Sequence, residues 1–315
     1  MLVYRLLLAM NVIGLVLVLL VACTYPDQST NPAAVTSSGP SPNPTAIPTP
    51  SSTRTPDYRS EMRVLVQAIS RYGKGLNRDF LVIPQNGEDI VNDNGIIHQE
   101  YLSAIDGIGR EDFLYGYSAD DKATPDRERN EVLKNLRYYQ QALKTVLITD
   151  YCSTQAKMAD SYTTNQRYGF ISFAANMREL NSIPSYPDPL MTENDNPVHR
   201  LADARNFLYL INPERYSTKD DFIRAIAATN YDLVIIDLFF NDEVLSAADL
   251  DIIHFKRNGA PRLVIAYMSI GEAEDYRFYW QAQWENHPPD WLGAENPSWE
   301  GNYRVAYWDP EWQAH

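Results

Sequence analysis

The chain has 315 residues, with 27 basic against 41 acidic side chains and a formal net charge of −14. That balance argues against a nucleic-acid partner, because phosphate binding needs a basic face. Two cysteines cannot build a disulfide framework, so apolar burial must hold the fold together.

In chain order, residues 1–23 stand apart. Arg5 gives a positive start, Leu6–Leu20 is almost wholly apolar apart from Asn11 and Gly14, and Leu20-Val21-Ala22-Cys23 follows. A short apolar run ending in small residues before a cysteine resembles a bacterial lipoprotein signal. The resemblance implies cleavage before Cys23, acylation of its sulfur and a lipid anchor at the cell envelope; an uncleaved membrane anchor is the alternative. Residues 24–57 form a Pro/Ser/Thr-rich stretch with eight prolines and almost no large apolar side chains. It cannot bury enough surface to offset the entropy of ordering, and reads as a tether. Cys152 is left without an intrachain partner and reads as a small buried hydrophobe.

Residues 58–315 suit one α/β barrel domain. Strands are expected at Phe80–Ile83, Phe113–Tyr117, Thr145–Thr149, Phe207–Ile211, Leu233–Phe239, Leu263–Met268 and Tyr303–Tyr307. Most of these runs are continuously apolar, as in a parallel sheet buried on both faces. Helical patterns lie between them. Thr124-Pro125-Asp126 reads as a cap with proline at the first helical position, ahead of Leu133, Leu136, Tyr139 and Leu143 on one face. Ser217-Thr218-Lys219-Asp220 resembles a capping box, and Ser246-Ala247-Ala248-Asp249 opens a further helix that Gly259 and Pro261 close. Strand–helix alternation implies βαβ units. Seven candidates are one short of a closed (β/α)8 TIM barrel, so the expected fold is that barrel without its last strand–helix unit; an open doubly wound sheet is the alternative.

In such a barrel reactive groups sit at the carboxyl ends of the strands. Reading each end gives Gln85 and Asn86, then Tyr117 and Asp120, Asp150 and Tyr151, Asn212, Asp237, Glu272 with Arg277, and Trp308 with Asp309. A ring of carboxylates, amides and aromatics suits glycoside hydrolysis, in which one carboxylic acid protonates the leaving oxygen and a second carboxylate attacks or activates water. Asp237 ends the most apolar strand, where a charge is costly unless it faces a polar mouth or is paired. Gly271 lets the chain turn and present Glu272. Glu274 and Asp275 are expected in solvent. Five scattered histidines give no metal-ligand spacing, and neither a phosphate loop nor a Gly-x-Ser-x-Gly elbow occurs.

Four stretches carry a family resemblance: Phe80-Leu81-Val82-Ile83-Pro84-Gln85-Asn86-Gly87, Val146-Leu147-Ile148-Thr149-Asp150-Tyr151, Tyr267-Met268-Ser269-Ile270-Gly271-Glu272-Ala273-Glu274-Asp275-Tyr276-Arg277, and Tyr307-Trp308-Asp309-Pro310-Glu311-Trp312. Together they resemble the endo-α-1,4-polygalactosaminidase family, glycoside hydrolase family 114, over about residues 60–313. The resemblance implies a TIM barrel that cleaves an α-1,4-linked galactosamine polymer without cofactor or metal. It places Glu272, Asp237 and Asp150 as catalytic carboxyls, and Gln85, Asn86, Tyr117, Tyr151, Tyr267, Arg277 and Trp308 around the substrate. A cationic amino-sugar polymer agrees with the acidic balance. A lipoprotein that binds glycan without cutting it, and a carboxylate–metal hydrolase such as a deacetylase, are the alternatives.

Overall fold

A computed structural model describes residues 18–22 and 56–315; the expected acylation of Cys23 and nearly all of the tether lie outside the described residues. Strand β1 is Val18–Ala22, β2 Val82–Gln85, β3 Gly107–Glu111, β4 Thr145–Tyr151, β5 Ile171–Ala175, β6 Phe207–Leu210, β7 Leu233–Ile236 and β8 Leu263–Ser269. They form one eight-stranded sheet in the order β5-β4-β3-β2-β1-β8-β7-β6. The ladders joining β2 through β5 and β6 through β8 are parallel. Val18–Ala22 lies antiparallel between β2 and β8. The end strands β5 and β6 share no ladder, yet the rings of Phe173 and Phe207 stand 5.7 Å apart across that gap. The α/β class and the parallel sheet match the sequence reading.

Helices α1 (Tyr58–Leu76), α2 (Gln99–Ala104), α3 (Asp126–Gln141), α4 (Gln155–Tyr168), α5 (Lys219–Ala227) and α6 (Ala247–Ile253) pack on the sheet. The β7 sequence Leu-Val-Ile-Ile is buried throughout, which is why a continuous apolar run forms it. One apolar cluster joins β6, β7 and β8 to α5 and α6; another joins α1, α2 and α3 to a group of tryptophans near the carboxyl end.

Five of the seven expected strands enter the sheet. Phe113–Tyr117 does not, because the amides of Leu114 and Tyr115 donate to the Asp150 side chain and are lost to any ladder. The sheet position is filled by Gly107–Glu111, whose two glycines and charged end hide it from an apolar pattern. Glycine suits that strand: a Cβ on Gly107 would come within 2.8 Å of the Thr145 carbonyl oxygen, and the Gln85 side chain lies over Gly109. The five-residue β5 also went unread. Tyr303–Tyr307 contributes instead to a small antiparallel sheet of β9 (Glu272–Glu274), β10 (Leu292–Glu295) and β11 (Asn302–Val305), ordered β9-β11-β10.

Caps shift by a residue. Pro125 is the N-cap of α3, and Thr124 Oγ1 donates to the Asp112 carbonyl at 2.6 Å in place of capping. Thr218, not Ser217, caps α5 by accepting from Asp221 N, while Ser246 and Asp249 form the expected reciprocal box. Helix α6 stops at Ile253, ahead of Gly259.

Candidate active site

The carboxyl ends of β2, β3, β4, β6, β7 and β8 converge on one mouth. Beyond β7, Asp237 is gripped by Arg277: Nη1 and Nη2 donate to its two carboxylate oxygens at 3.0 and 2.6 Å. Phe239 N adds a third bond at 3.0 Å. The same guanidinium donates through Nε to Glu274 in a short ion pair. One arginine thus bridges two carboxyl groups from different strand ends, in the planar fork geometry peculiar to that side chain. The three side chains retain 14%, 10% and 4% exposure for Asp237, Arg277 and Glu274. Burial raises the Glu274 carboxyl above the usual range, and Arg277 offsets only part of that. Burial works against the Arg277 charge, yet Asp237 and Glu274 hold it firmly protonated.

Aromatic rings frame this group. Arg277 lies 5.2 Å from the Phe239 ring centroid and 5.1 Å from that of Tyr276. Phe278 stacks on Phe239 at 6.2 Å, and Phe278 and Tyr276 remain 78% and 54% exposed. Tyr267 lies beside the bridged carboxyls, its hydroxyl pushed well up by burial and then by Glu274.

Across the mouth Glu111 ends β3. It accepts from Asn86 Nδ2 at 2.7 Å and from the Tyr151 hydroxyl in a short bond. Asn86 can face it because Asn86 and Gly87 both take left-handed backbone, at φ 62°. Arg178 covers the Tyr151 ring at 4.0 Å and donates to Asp112 (3.0 Å), Asp120 (3.0 Å) and the Gly116 carbonyl (2.8 Å). Burial raises the Asp112 carboxyl to about 6 despite Arg178. Burial pushes the Tyr209 hydroxyl well up, and Glu111 and then Tyr267 push it the same way.

The structure therefore brings Asp237, Arg277 and Tyr267 together, and Asn86 and Tyr151 together around Glu111, while Gln85 is buried over Gly109. Tyr117 is exposed on the loop after β3. Trp308 packs on Tyr58 at the start of α1, 4.9 Å between centroids. Glu272 is buried in β9, where Asn296 and Asn302 donate to it at 2.7 and 3.3 Å. Asp150 faces away from the mouth. It is fully buried and accepts from Leu114 N, Tyr115 N, Ser161 Oγ and Asn165 Nδ2 at 2.7, 3.2, 2.7 and 2.9 Å, with burial raising its carboxyl.

Glu274 corrects the expectation of a solvated residue: it is buried, because Arg277 three residues on folds back over it. Sequence reading also missed Glu111, Phe239, Tyr276 and Phe278. An arginine at i+3 from Glu274 was the available signal for the first correction; Glu111 left none, because its strand was unread. Among the described residues no cluster of His, Cys, Asp and Glu is arranged to hold a metal ion.

Part of the chain is similar to known proteins. Residues 193–315, which include Asp237, Glu274 and Arg277, match the family model for glycoside-hydrolase family GH114. The chain is 37% identical over 146 residues to an uncharacterized protein of Methanocaldococcus jannaschii, covering 46% of this chain and 40% of that protein. It is 41% identical over 99 residues to an uncharacterized protein of Deinococcus radiodurans, 29% of each chain. Over 49 residues it is 57% identical to an uncharacterized protein of Thermotoga maritima, 16% of this chain and 15% of that one. The alignments span less than half the length of each relative.

Proposed function

Residues 193–315 belong to glycoside-hydrolase family GH114, and from that premise we propose that this protein hydrolyses an α-1,4-linked galactosamine-type polysaccharide with Glu274 and Asp237 as its two working carboxyls. The observation that carries this reading is the single guanidinium of Arg277 joining both acids beside exposed aromatic rings. Glycosidic cleavage needs a proton on the leaving oxygen while positive charge develops at the anomeric carbon. Glu274 suits the first task, because burial keeps its carboxyl protonated to a higher pH than an ordinary glutamate. Asp237 supplies the second carboxylate, and Arg277 fixes its plane. Tyr276 and Phe278 offer faces on which sugar rings stack. Glu272, tied to Asn296 and Asn302, supports the strand that carries Glu274.

The near-complete sheet of parallel strands supports a barrel reading, and the net charge of −14 suits a cationic polymer. Lipid attachment at Cys23, with cleavage that takes Val18–Ala22 out of the sheet, would hold the enzyme at the cell envelope, on the outer side of a membrane, with the proline-rich stretch as spacer. One feature favours a second reading, glycan binding without cleavage: both acids already bond to Arg277. The test is release of reducing ends from α-1,4-galactosamine polymer by the full chain. Cleavage that survives EDTA is expected; no release at any pH between 4 and 9 refutes hydrolysis, and loss in EDTA points to a metal-dependent reaction.

A further inference from the structure

Glu111 is a carboxylate without a counter-charge. It is half-buried at the end of β3, and its two bonds come from neutral groups, the Asn86 amide and the Tyr151 hydroxyl. The arginines on neighbouring segments are engaged elsewhere: Arg110 with Glu88 at 3.4 Å, Arg178 with Asp112 and Asp120 at 3.0 Å each. Among the described residues Glu111 joins no ion pair. The local set is three carboxyls, Glu111, Asp112 and Asp120, to the one guanidinium of Arg178.

A carboxyl group bonded only by neutral donors is open to the stronger, charge-assisted bond that a cationic ligand brings. The surroundings match an amino sugar. Tyr151 is buried and gives its hydroxyl to Glu111, and Asn86 sets a half-buried neutral amide beside it. Glu111 ends β3 and Asp237 follows β7, so both stand at the carboxyl side of the same sheet. We propose that Glu111 binds the ammonium group of an amino-sugar unit next to the scissile linkage, and that this contact makes the protein prefer free amine over N-acetylated sugar. The inference rests on the hydrolase reading above and adds a specificity-determining residue to it.

The test compares wild type, Glu111→Gln and Glu111→Asp on galactosamine polymer and on the same polymer N-acetylated. Glutamine keeps the size and an acceptor for Tyr151 or Asn86 but removes the charge; aspartate keeps the charge. The expected result is a rise of about tenfold or more in KM on the free-amine polymer for Glu111→Gln, the worth of a charge-assisted bond. Preference for the free amine disappears in that variant and persists in Glu111→Asp. Unchanged preference in Glu111→Gln overturns the proposal. If wild type cleaves neither polymer, hydrolysis fails, and the inference is read by equilibrium titration with galactosamine and N-acetylgalactosamine. Tighter binding of galactosamine by wild type, lost in Glu111→Gln, sustains it; equal binding of the two sugars by wild type overturns it.

Discussion

Replacing Asp150 by Asn separates a structural carboxylate from a catalytic one. Asp150 Oδ1 accepts from two backbone amides, and Oδ2 accepts from Ser161 Oγ and Asn165 Nδ2. In the variant the remaining carbonyl oxygen can still serve Leu114 and Tyr115. The new NH2 faces Ser161, whose hydroxyl can rotate to accept, and Asn165 Nδ2, which is itself a donor. Asn165 could flip to accept, but its NH2 would then point where its Oδ1 now lies buried without a partner. One buried hydrogen-bonding group is therefore left unpaired either way, at about 1–3 kcal/mol. For a domain of this size each kcal/mol lowers Tm by roughly 2–4 °C, giving a drop of about 2–12 °C. Thermal unfolding followed by circular dichroism measures that drop, and reducing-end release at a temperature well below it measures turnover. The expected pair of results is a lowered Tm with turnover of wild-type order. Turnover lost by a factor of about 100 or more, on the scale of a missing acid or base, at unchanged Tm would refute the structural reading of Asp150.

Three further outcomes follow from particular contacts. The Lys256–Asp232 pair at 2.5 Å is fully buried beneath the amino ends of the strands, away from the mouth, so Lys256→Met leaves a buried charge and costs about 3–5 kcal/mol in denaturant unfolding without a direct effect on chemistry. Asp112 has a folded-state pKa of about 6 against roughly 3.9 unfolded, so it binds more protons folded; its stabilisation is present below about pH 4 and fades as pH rises through 6, and Asp112→Asn should flatten that part of the Tm–pH curve. Phe278→Ala removes an exposed ring beside the acids, and should raise KM for polymer while leaving Tm nearly unchanged.

Physical reasons decide what could be read from the sequence. Buried parallel strands such as Leu233–Ile236 announce themselves because both faces must be apolar. Gly107–Glu111 does not, because its fit depends on the Gln85 side chain lying over Gly109, a tertiary contact with no local trace. Arg277 and Asp237 were legible from their places at strand ends, whereas their partner Glu274 was read as solvated. Three residues of β9 tuck it under Arg277, and burial of that kind is set by the chain folding back on itself. Asp150 sits at a strand end as well, but turns toward α4, where Ser161 and Asn165 wait one helical turn apart.

The most direct measurement is turnover of Glu274→Gln beside Glu272→Gln on galactosamine polymer, each checked for an unchanged Tm. If the acids joined by Arg277 carry the reaction, Glu274→Gln loses about 10²–10⁴ in kcat while Glu272→Gln stays of wild-type order. The opposite ranking, with Glu272→Gln inactive and Glu274→Gln unimpaired, contradicts it.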